Sequence, residues 1–268
     1  MLNKIFAQVK KDFLILASYK LAFLSNFLGV LASILTYFFI DKLFGHRLSG
    51  HLTEFGVNYF SYVLLSMAFF GYIGVGVGSF SSRIRAEQMQ GTLESLLLCP
   101  VRIETILAGM ALWNFIFATL DVLFYISLGG LLFGINFSGA NLISVLTILI
   151  FTIVCFSSLG ILSACFILVL KRGNPLSWLI NTFEGVIGGV YFPIAVMPPL
   201  LQAVARILPI TYAIRAMELA VYRGYSLYQL KNELLFLLIF SLFLLPTSIL
   251  AFKFSLRKAR RQGTLVQY

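Results

Sequence analysis

Charged residues are scarce in this sequence, and their scarcity excludes an ordinary soluble domain. Asp, Glu, Lys and Arg make up 11% of the 268 residues, whereas a soluble globular domain contains about 25%. Apolar residues make up 60%, above the roughly 45–50% of soluble domains. A helix that crosses a bilayer needs about 20 consecutive apolar residues, and the chain contains several such runs. The composition therefore predicts a membrane protein.

Cysteine and histidine are also rare, and one nucleotide-binding motif is missing. The three cysteines, Cys99, Cys155 and Cys165, are odd in number and lack metal-ligand spacing, so we expect no disulfide framework. His46 and His51 have no third ligand nearby in the sequence, and we expect no metal site. No G-x-x-x-x-G-K-[ST] loop occurs anywhere in the chain, which excludes a P-loop ATPase.

Six apolar runs are long enough to cross a membrane, at residues 21–40, 55–82, 105–134, 140–170, 175–197 and 234–252. None alternates in polarity as a barrel strand does. The predicted fold class is therefore all-α, a polytopic membrane protein with six transmembrane helices. In the glycine-rich stretch "GYIGVGVG", we interpret Gly74 and Gly78 as a small-residue pair for close helix packing.

Lysine and arginine are unevenly distributed between the two sides that six spans define. Of the 20 such residues, 14 lie on the side that holds both termini, and cytoplasmic loops carry the positive excess. We therefore expect cytoplasmic N- and C-termini in a multi-pass protein of the cell membrane. The net charge of +10 favours contact with membrane lipids rather than nucleic acid. Residues 1–20 are predicted to form an amphipathic interfacial helix, and residues 253–268 a basic cytoplasmic tail.

The stretch "RIRAEQMQGTLESLLLCPVRIE", residues 83–104, carries six charges between two apolar spans. Its first residues favour a helix, and Gly91 is a natural helix terminator. Thr92 can cap a second short helix that has Glu94 in its first turn and that Pro100 ends. A simple connection needs fewer residues, so we interpret the stretch as a docking element in the cytoplasm. An elaborate connecting loop is the alternative.

Residues 198–231 are too long for a simple turn and too irregular for a span. Prolines at 198, 199 and 209, with Pro193 just before the region, divide it into apolar pieces of about 10–14 residues, a length typical of re-entrant or interfacial helices. We expect an outer re-entrant helical hairpin formed by "PPLLQAVARIL" and "PITYAIRAMELAVY". The alternative is a plain extracellular loop packed on the spans.

Two acidic residues lie near the middle of predicted spans, Asp121 in 105–134 and Glu184 in 175–197. A charged side chain at that depth costs about 3 kcal/mol on insertion scales. Each acid belongs to a polar stripe at helical spacing, and the stripes supply six candidates for a substrate path: Asn114, Asp121, Tyr125, Asn181, Glu184 and Tyr191. The alternative is that both acids are protonated and hydrogen-bonded between helices or at a dimer interface.

Two segments resemble those of a known family. Glu87 and the following "QGTLESLLLCPVR" resemble the acidic–glycine–Thr–Leu–Glu segment of ABC type-2 transporter permeases, which ends in a proline and a basic residue. "GGVYFPIAVMPPLLQAVARILPITYAIRAM", residues 188–217, resembles that family's region before the last span. In such permeases the cytoplasmic segment is a coupling helix that fits a groove on an ATP-binding subunit. The resemblance implies coupling residues at Glu87, Gly91, Thr92, Leu93, Glu94 and Pro100.

The resemblance also implies what works with this chain. The chain would be a transport subunit rather than an enzyme and would hold no cofactor, because ATP and magnesium would bind two copies of an ATP-binding cassette subunit. A second permease, either another copy or a paralogue, would complete the complex.

Substrate and function class depend on weaker signals. The 27 Phe and 12 Tyr suit the export of an amphiphilic or lipid-linked substrate, and the two acids in the spans favour a cationic one. One alternative is a secondary transporter or channel, but its internal repeats are not evident. The other is a membrane-embedded lipid-modifying enzyme, but a catalytic cluster is not evident in the sequence either.

Overall fold

The structure is a computed structural model, and it describes residues 10, 13–14, 20–50, 52–98, 103–170, 178, 182 and 185–261. All regular secondary structure in these ranges is helical. The predicted all-α fold class is therefore confirmed for the described part of the chain. The predicted interfacial helix 1–20 lies outside the described residues except at four positions, 10, 13, 14 and 20.

Eight α-helices and one 3₁₀ turn are described in full. In chain order they are α1 (Lys20–Ser49), α2 (Tyr59–Met89), α3 (Leu93–Leu98), α4 (Ile103–Phe133), α5 (Leu142–Leu170), the 3₁₀ turn (Ile194–Val196), α6 (Pro199–Ala205), α7 (Pro209–Tyr222) and α8 (Lys231–Arg261). Five of them, α1, α2, α4, α5 and α8, are long and apolar enough to cross a membrane. The predicted span 175–197 is described only at residues 178, 182 and 185–197, so the count of six spans stays a prediction.

Two of the long helices continue beyond their apolar runs. α2 begins after Asn58, whose side-chain oxygen accepts the Ser61 N–H at 3.1 Å and so caps the helix. It runs past residue 82 to Met89 because "RIRAEQM" consists mostly of good helix formers. α8 likewise includes the first residues of the predicted basic tail and ends at Arg261. Cations in its last turn interact favourably with the helix dipole.

α2 is the central helix of the described fold. Of its most apolar stretch, 67% is buried within the chain, compared with 11–39% for the other four long helices. It packs against α1, α4, α5 and α7, while α8 packs against α5 and α7. The other long helices therefore expose apolar faces that suit lipid, whereas α2 lies at the centre of the described helices.

α2 and α5 cross at two glycines, Gly76 and Gly160. A Cβ added at Gly160 would overlap the Gly76 carbonyl oxygen, and one added at Gly76 would lie 2.9 Å from the Phe156 Cβ. The predicted pair Gly74 and Gly78 lies beside an open groove instead, so it does not form this crossing, and its role in helix packing stays a prediction. Gly76 lies two residues from each of them, roughly 200° around the helix, and it faces α5 while they do not.

Two short helices occupy most of the predicted outer region 198–231. α6 and α7 each have a proline, Pro199 and Pro209, at the first helical position, where the missing N–H is not needed. α7 buries its apolar face against α2, α5 and α8. The two helices of the predicted hairpin are present, and entry of the hairpin into the outer leaflet stays a prediction.

Candidate functional site

The chain turns sharply at Gly91, between α2 and α3. Gly91 has a φ of 68°, a left-handed conformation that β-branched residues rarely adopt. The Gly91 N–H donates to the Gln88 carbonyl at 3.1 Å, and the Thr92 N–H donates to the Glu87 carbonyl at 3.0 Å. These bonds satisfy carbonyl groups at the end of α2, as a glycine C-cap does. We call residues 87–98 the corner.

Glu87 and Leu93 hold α3 against the end of α2. The Thr92 hydroxyl donates to the Glu87 carboxylate, and the Arg83 Nε lies 3.4 Å from the Glu87 Oε1. Glu87 is 8% exposed and Leu93 is 1% exposed. Both are predicted coupling residues and that role stays a prediction, but neither side chain lies on the outside of the corner. Their contacts instead make the corner a rigid extension of α2.

The exposed residues of the corner are Met89, Gln90, Gly91, Thr92, Glu94, Ser95 and Leu98. Of these, Met89, Glu94 and Leu98 are the large apolar and acidic ones, and we call these three the corner surface. Met89 is 70% exposed and Leu98 is 78% exposed. Glu94 lies in the first turn of α3 with its side chain exposed. One carboxylate with two apolar side chains suits an apolar groove that carries a basic residue. The predicted coupling residue Pro100 lies outside the described residues.

Three of the six predicted path residues meet between α1, α4 and the segment before the 3₁₀ turn. The Asp121 Oδ1 accepts a hydrogen bond from the Asn26 Nδ2 at 3.0 Å. Tyr125, one turn along α4, lies close enough to interact electrostatically with Asp121 and Tyr191. The Tyr191 ring stacks on Tyr37 with centroids 5.9 Å apart. We call these five residues the Asp121 cluster.

The other three predicted path residues are not part of this cluster as described. Asn114 lies about two turns from Asp121 along α4 and lines the open groove beside Gly74. Asn181 and Glu184 lie outside the described residues, so a path shared by both acids stays a prediction. The bond from Asn26 agrees with the alternative in which Asp121 is hydrogen-bonded between helices. Asn26 was missed, although it is the only Asn in the apolar run 21–40.

A buried acid in α7, Glu218, was not among the predicted site residues. Glu218 is fully buried in α7, and its Oε1 accepts a hydrogen bond from the Ser66 Oγ of α2 at 2.8 Å. Its Oε2 has no hydrogen-bond partner in the described part of the chain. Burial raises the pKa of Glu218 well above its ordinary value, because desolvation disfavours the carboxylate. A signal existed in the sequence, since Glu218 lies at helical spacing from the apolar Ile214 and Val221.

We expect Glu218→Gln to remove a pH-dependent loss of stability. The unfolded chain releases this proton near the ordinary pKa of 4.5, while the folded chain retains it to higher pH. Wild-type stability should therefore fall as pH rises above that value, by about 1.4 kcal/mol per pH unit until the folded pKa is reached. Gln keeps the acceptor for Ser66 but cannot ionise, so the variant should lack this component.

The measurement is the thermal midpoint of the purified chain in detergent between pH 4 and pH 8. The advantage of Glu218→Gln over the wild type should grow with pH. Parallel profiles for the two proteins would contradict a neutral buried Glu218.

Comparison with known proteins extends the resemblance found in the sequence. A family model described as ABC-2 type transporter matches residues 5–222. The inner membrane transport permease YadH of Escherichia coli (strain K12) is 24% identical over 188 residues, covering 67% of this chain and 69% of that protein. YadH of Shigella flexneri matches with the same identity and coverage. The resemblance to ABC type-2 permeases is thereby confirmed. With its apolar helices of membrane length, the chain is a multi-pass inner membrane permease that belongs to the ABC-2 type transporter family.

Proposed function

We propose that the chain is the membrane subunit of an ATP-driven exporter, in which two permease chains, identical or paralogous, work with two ATP-binding cassette subunits. The family implies an ATP-binding cassette partner in general. ATP and magnesium would be bound by that partner, because this sequence has no P-loop. The observation that carries the proposal for this chain is the corner surface. It is an exposed apolar and acidic face on a rigid extension of the central helix.

The corner is built to pass a movement of α3 to the spans. The buried Leu93 and the bond from Thr92 to Glu87 tie α3 to the end of α2. α2 in turn packs against α1, α4, α5 and α7. A push from the ATP-binding subunit on α3 would therefore tilt or shift α2 rather than bend a flexible loop. Closure of the two ATP-binding subunits would rock the spans between inward- and outward-facing states.

The transported molecule would be an amphiphile or a lipid-linked molecule taken from the cytoplasm or inner leaflet. The polar side chains of the Asp121 cluster lie among aromatic rings, as in the stack of Tyr37 on Tyr191. A membrane-depth site with few polar groups and several rings suits a molecule that is itself mostly apolar. The outer helices α6 and α7 would cap the exit of the path.

We expect six spans with both termini and the corner in the cytoplasm. Single cysteines replacing Ser95 and Tyr228 would test this in a background with Cys99→Ser, because Cys155 and Cys165 are buried. An impermeant maleimide should label Ser95→Cys only in inverted vesicles and Tyr228→Cys only in right-side-out vesicles. Labelling of both positions from the same side would contradict the six-span arrangement.

Purification of the affinity-tagged chain from its own host's membranes in mild detergent tests the proposal as a whole. We expect an ATP-binding cassette protein to be recovered in a one-to-one ratio with the chain. The complex should hydrolyse ATP, and this activity should disappear when the P-loop lysine of the partner is replaced by Ala. Recovery of the chain without any ATP-binding protein or ATPase activity would refute the proposal and favour a secondary transporter or channel.

A further inference from the structure

A cavity of about 310 Å³ lies between the start of α2, the 3₁₀ turn, α6 and α7. Apolar side chains such as Phe55, Ile194 and Ile214 form much of its wall, and Arg206 and Thr211 also line it. Small-molecule sites are built in this way, with a few polar groups in an apolar cavity of roughly 300 Å³ or more. None of its lining residues belongs to the corner surface or to the Asp121 cluster. The cavity is therefore a separate candidate site.

The charges around this cavity leave a cation without a counter-ion. Arg215 is paired twice, since its Nη2 lies 2.6 Å from the Glu54 Oε1 and its Nε lies 3.6 Å from the Glu233 Oε1. Arg206 is exposed and has no carboxylate within ion-pair distance among the residues that the structure describes. Its backbone carbonyl accepts a hydrogen bond from the Tyr212 hydroxyl at 2.8 Å, which fixes the backbone of Arg206. Glu54 also lines the cavity and is paired with Arg215, so the two arginines and one glutamate of the lining carry a net charge of +1.

A buried hydroxyl without a partner lies in the same cavity wall. Thr211 is 8% exposed, and its Oγ1 has no hydrogen-bond partner within the described ranges. An unsatisfied buried hydroxyl costs about 1–3 kcal/mol, and such groups usually bind water or a ligand. Thr211 belongs to the first turn of α7, which contains no acidic residue. The positive end of the helix dipole favours an anion at this position.

We propose that the cavity binds the anionic head group of an amphiphile, such as a phosphate monoester or a carboxylate attached to an apolar chain. The Arg206 guanidinium would bind the anionic oxygens, and the Thr211 hydroxyl, which is covered in the structure, would donate to one of them after its side chain rotates. The apolar wall would contact the first part of the chain. Binding needs neither ATP nor the partner subunit, and only the placing of the cavity on the outer side of the membrane rests on the proposed function.

The test is a titration of the purified full chain with four probes that separate charge from apolar contact. They are octyl phosphate, octanol, octylammonium and inorganic phosphate. We expect octyl phosphate to bind at least tenfold more tightly than each of the others, because only it supplies both an anion and a chain, and charge-assisted hydrogen bonds are each worth roughly tenfold or more. Isothermal titration calorimetry measures the affinities directly.

Four variants locate the binding. Arg206→Gln and Thr211→Val should each weaken the binding of octyl phosphate by roughly fivefold to tenfold or more. Ala195→Trp should fill the cavity and abolish this binding without a change in charge. Thr211→Val should not lower the thermal midpoint of the unliganded protein, because the hydroxyl it removes has no partner in the described chain. The control is Arg257→Gln, which removes an exposed arginine of α8 that does not line the cavity, and it should leave the affinity unchanged.

Three results would overturn the proposal. Equal binding of octanol or octylammonium would show that no anion is recognised, and equal binding of inorganic phosphate would show that the apolar wall contributes nothing. An unchanged affinity in Arg206→Gln or Ala195→Trp would place the binding elsewhere. Because the chain is titrated without its partner, failure here leaves the ATP-coupled function untouched, and failure of ATP coupling leaves this site untouched.

Discussion

Gly91→Val should uncouple the permease from its ATP-binding subunit without unfolding it. A Cβ at Gly91 would meet nothing within 4 Å among the described residues, so the change fills no space that they occupy. The effect comes from the φ of 68°, which costs an L-residue roughly 1–2 kcal/mol and is rarest in β-branched ones. Relief of that strain would turn α3 away from α2 and misplace the corner surface. We expect about tenfold less partner in a pull-down, with normal membrane insertion of the chain.

The matched control is Gly91→Asn, because Asn tolerates the left-handed conformation far better than Val does. This variant should keep most of the partner and of the ATPase activity. ATPase assays of the reconstituted complexes compare both variants with the wild type. If Gly91→Val keeps full partner recovery and activity, the corner is a connecting loop, as the alternative interpretation of residues 83–104 holds.

Gly160→Val should destabilise the chain more than any other single change considered for the spans. Its Cβ would overlap the Gly76 carbonyl oxygen, a backbone atom that cannot rotate away, so α2 and α5 would have to separate. Overpacking a core costs about 1–3 kcal/mol and sometimes more, and we expect at least the upper value here. The thermal midpoint in detergent should fall by roughly 6–12 °C.

Gly78→Val is the matched control, since it makes the same substitution on α2, at a position that lines an open groove. In the described part of the chain, nothing lies within 4 Å of a Cβ added at Gly78, so the thermal midpoint of this variant should change little. If the thermal midpoints of both variants fall equally, the loss of stability comes from valine in a helix rather than from the crossing of α2 and α5.

Much of the fold could be predicted because long apolar runs have few possible structures in a membrane. Five of the predicted spans correspond to helices of membrane length. The glycine corner after α2 also lies where the sequence predicts it. The crossing of α2 and α5 could not be predicted in the same way. Gly74, Gly76 and Gly78 are equally small, and only the packing of α5 decides which of them needs to be glycine.

The candidate site could be predicted less well, because burial decides which side chains are available. The motif that resembles the coupling segment contains both outward and inward residues. Glu94 is exposed, whereas Glu87 and Leu93 are buried, and residue type alone does not distinguish two glutamates. The burial of Glu218 could not be predicted, because an outer hairpin is not expected to be buried, whereas the structure packs its helix against α2, α5 and α8. The bonds from Asn26 to Asp121 and from Ser66 to Glu218 join helices far apart in the sequence.

Site-specific photo-crosslinking tests the central claim, that an ATP-binding subunit docks on the corner surface. A photoreactive amino acid would replace Glu94, which is exposed on α3, and in a second protein it would replace Tyr228, which is 79% exposed between α7 and α8. Irradiation of membranes should join the chain to an ATP-binding cassette subunit from position 94, and it should give no such product from position 228. A crosslink from position 228, or the absence of one from position 94 in membranes that contain the assembled complex, would contradict the account.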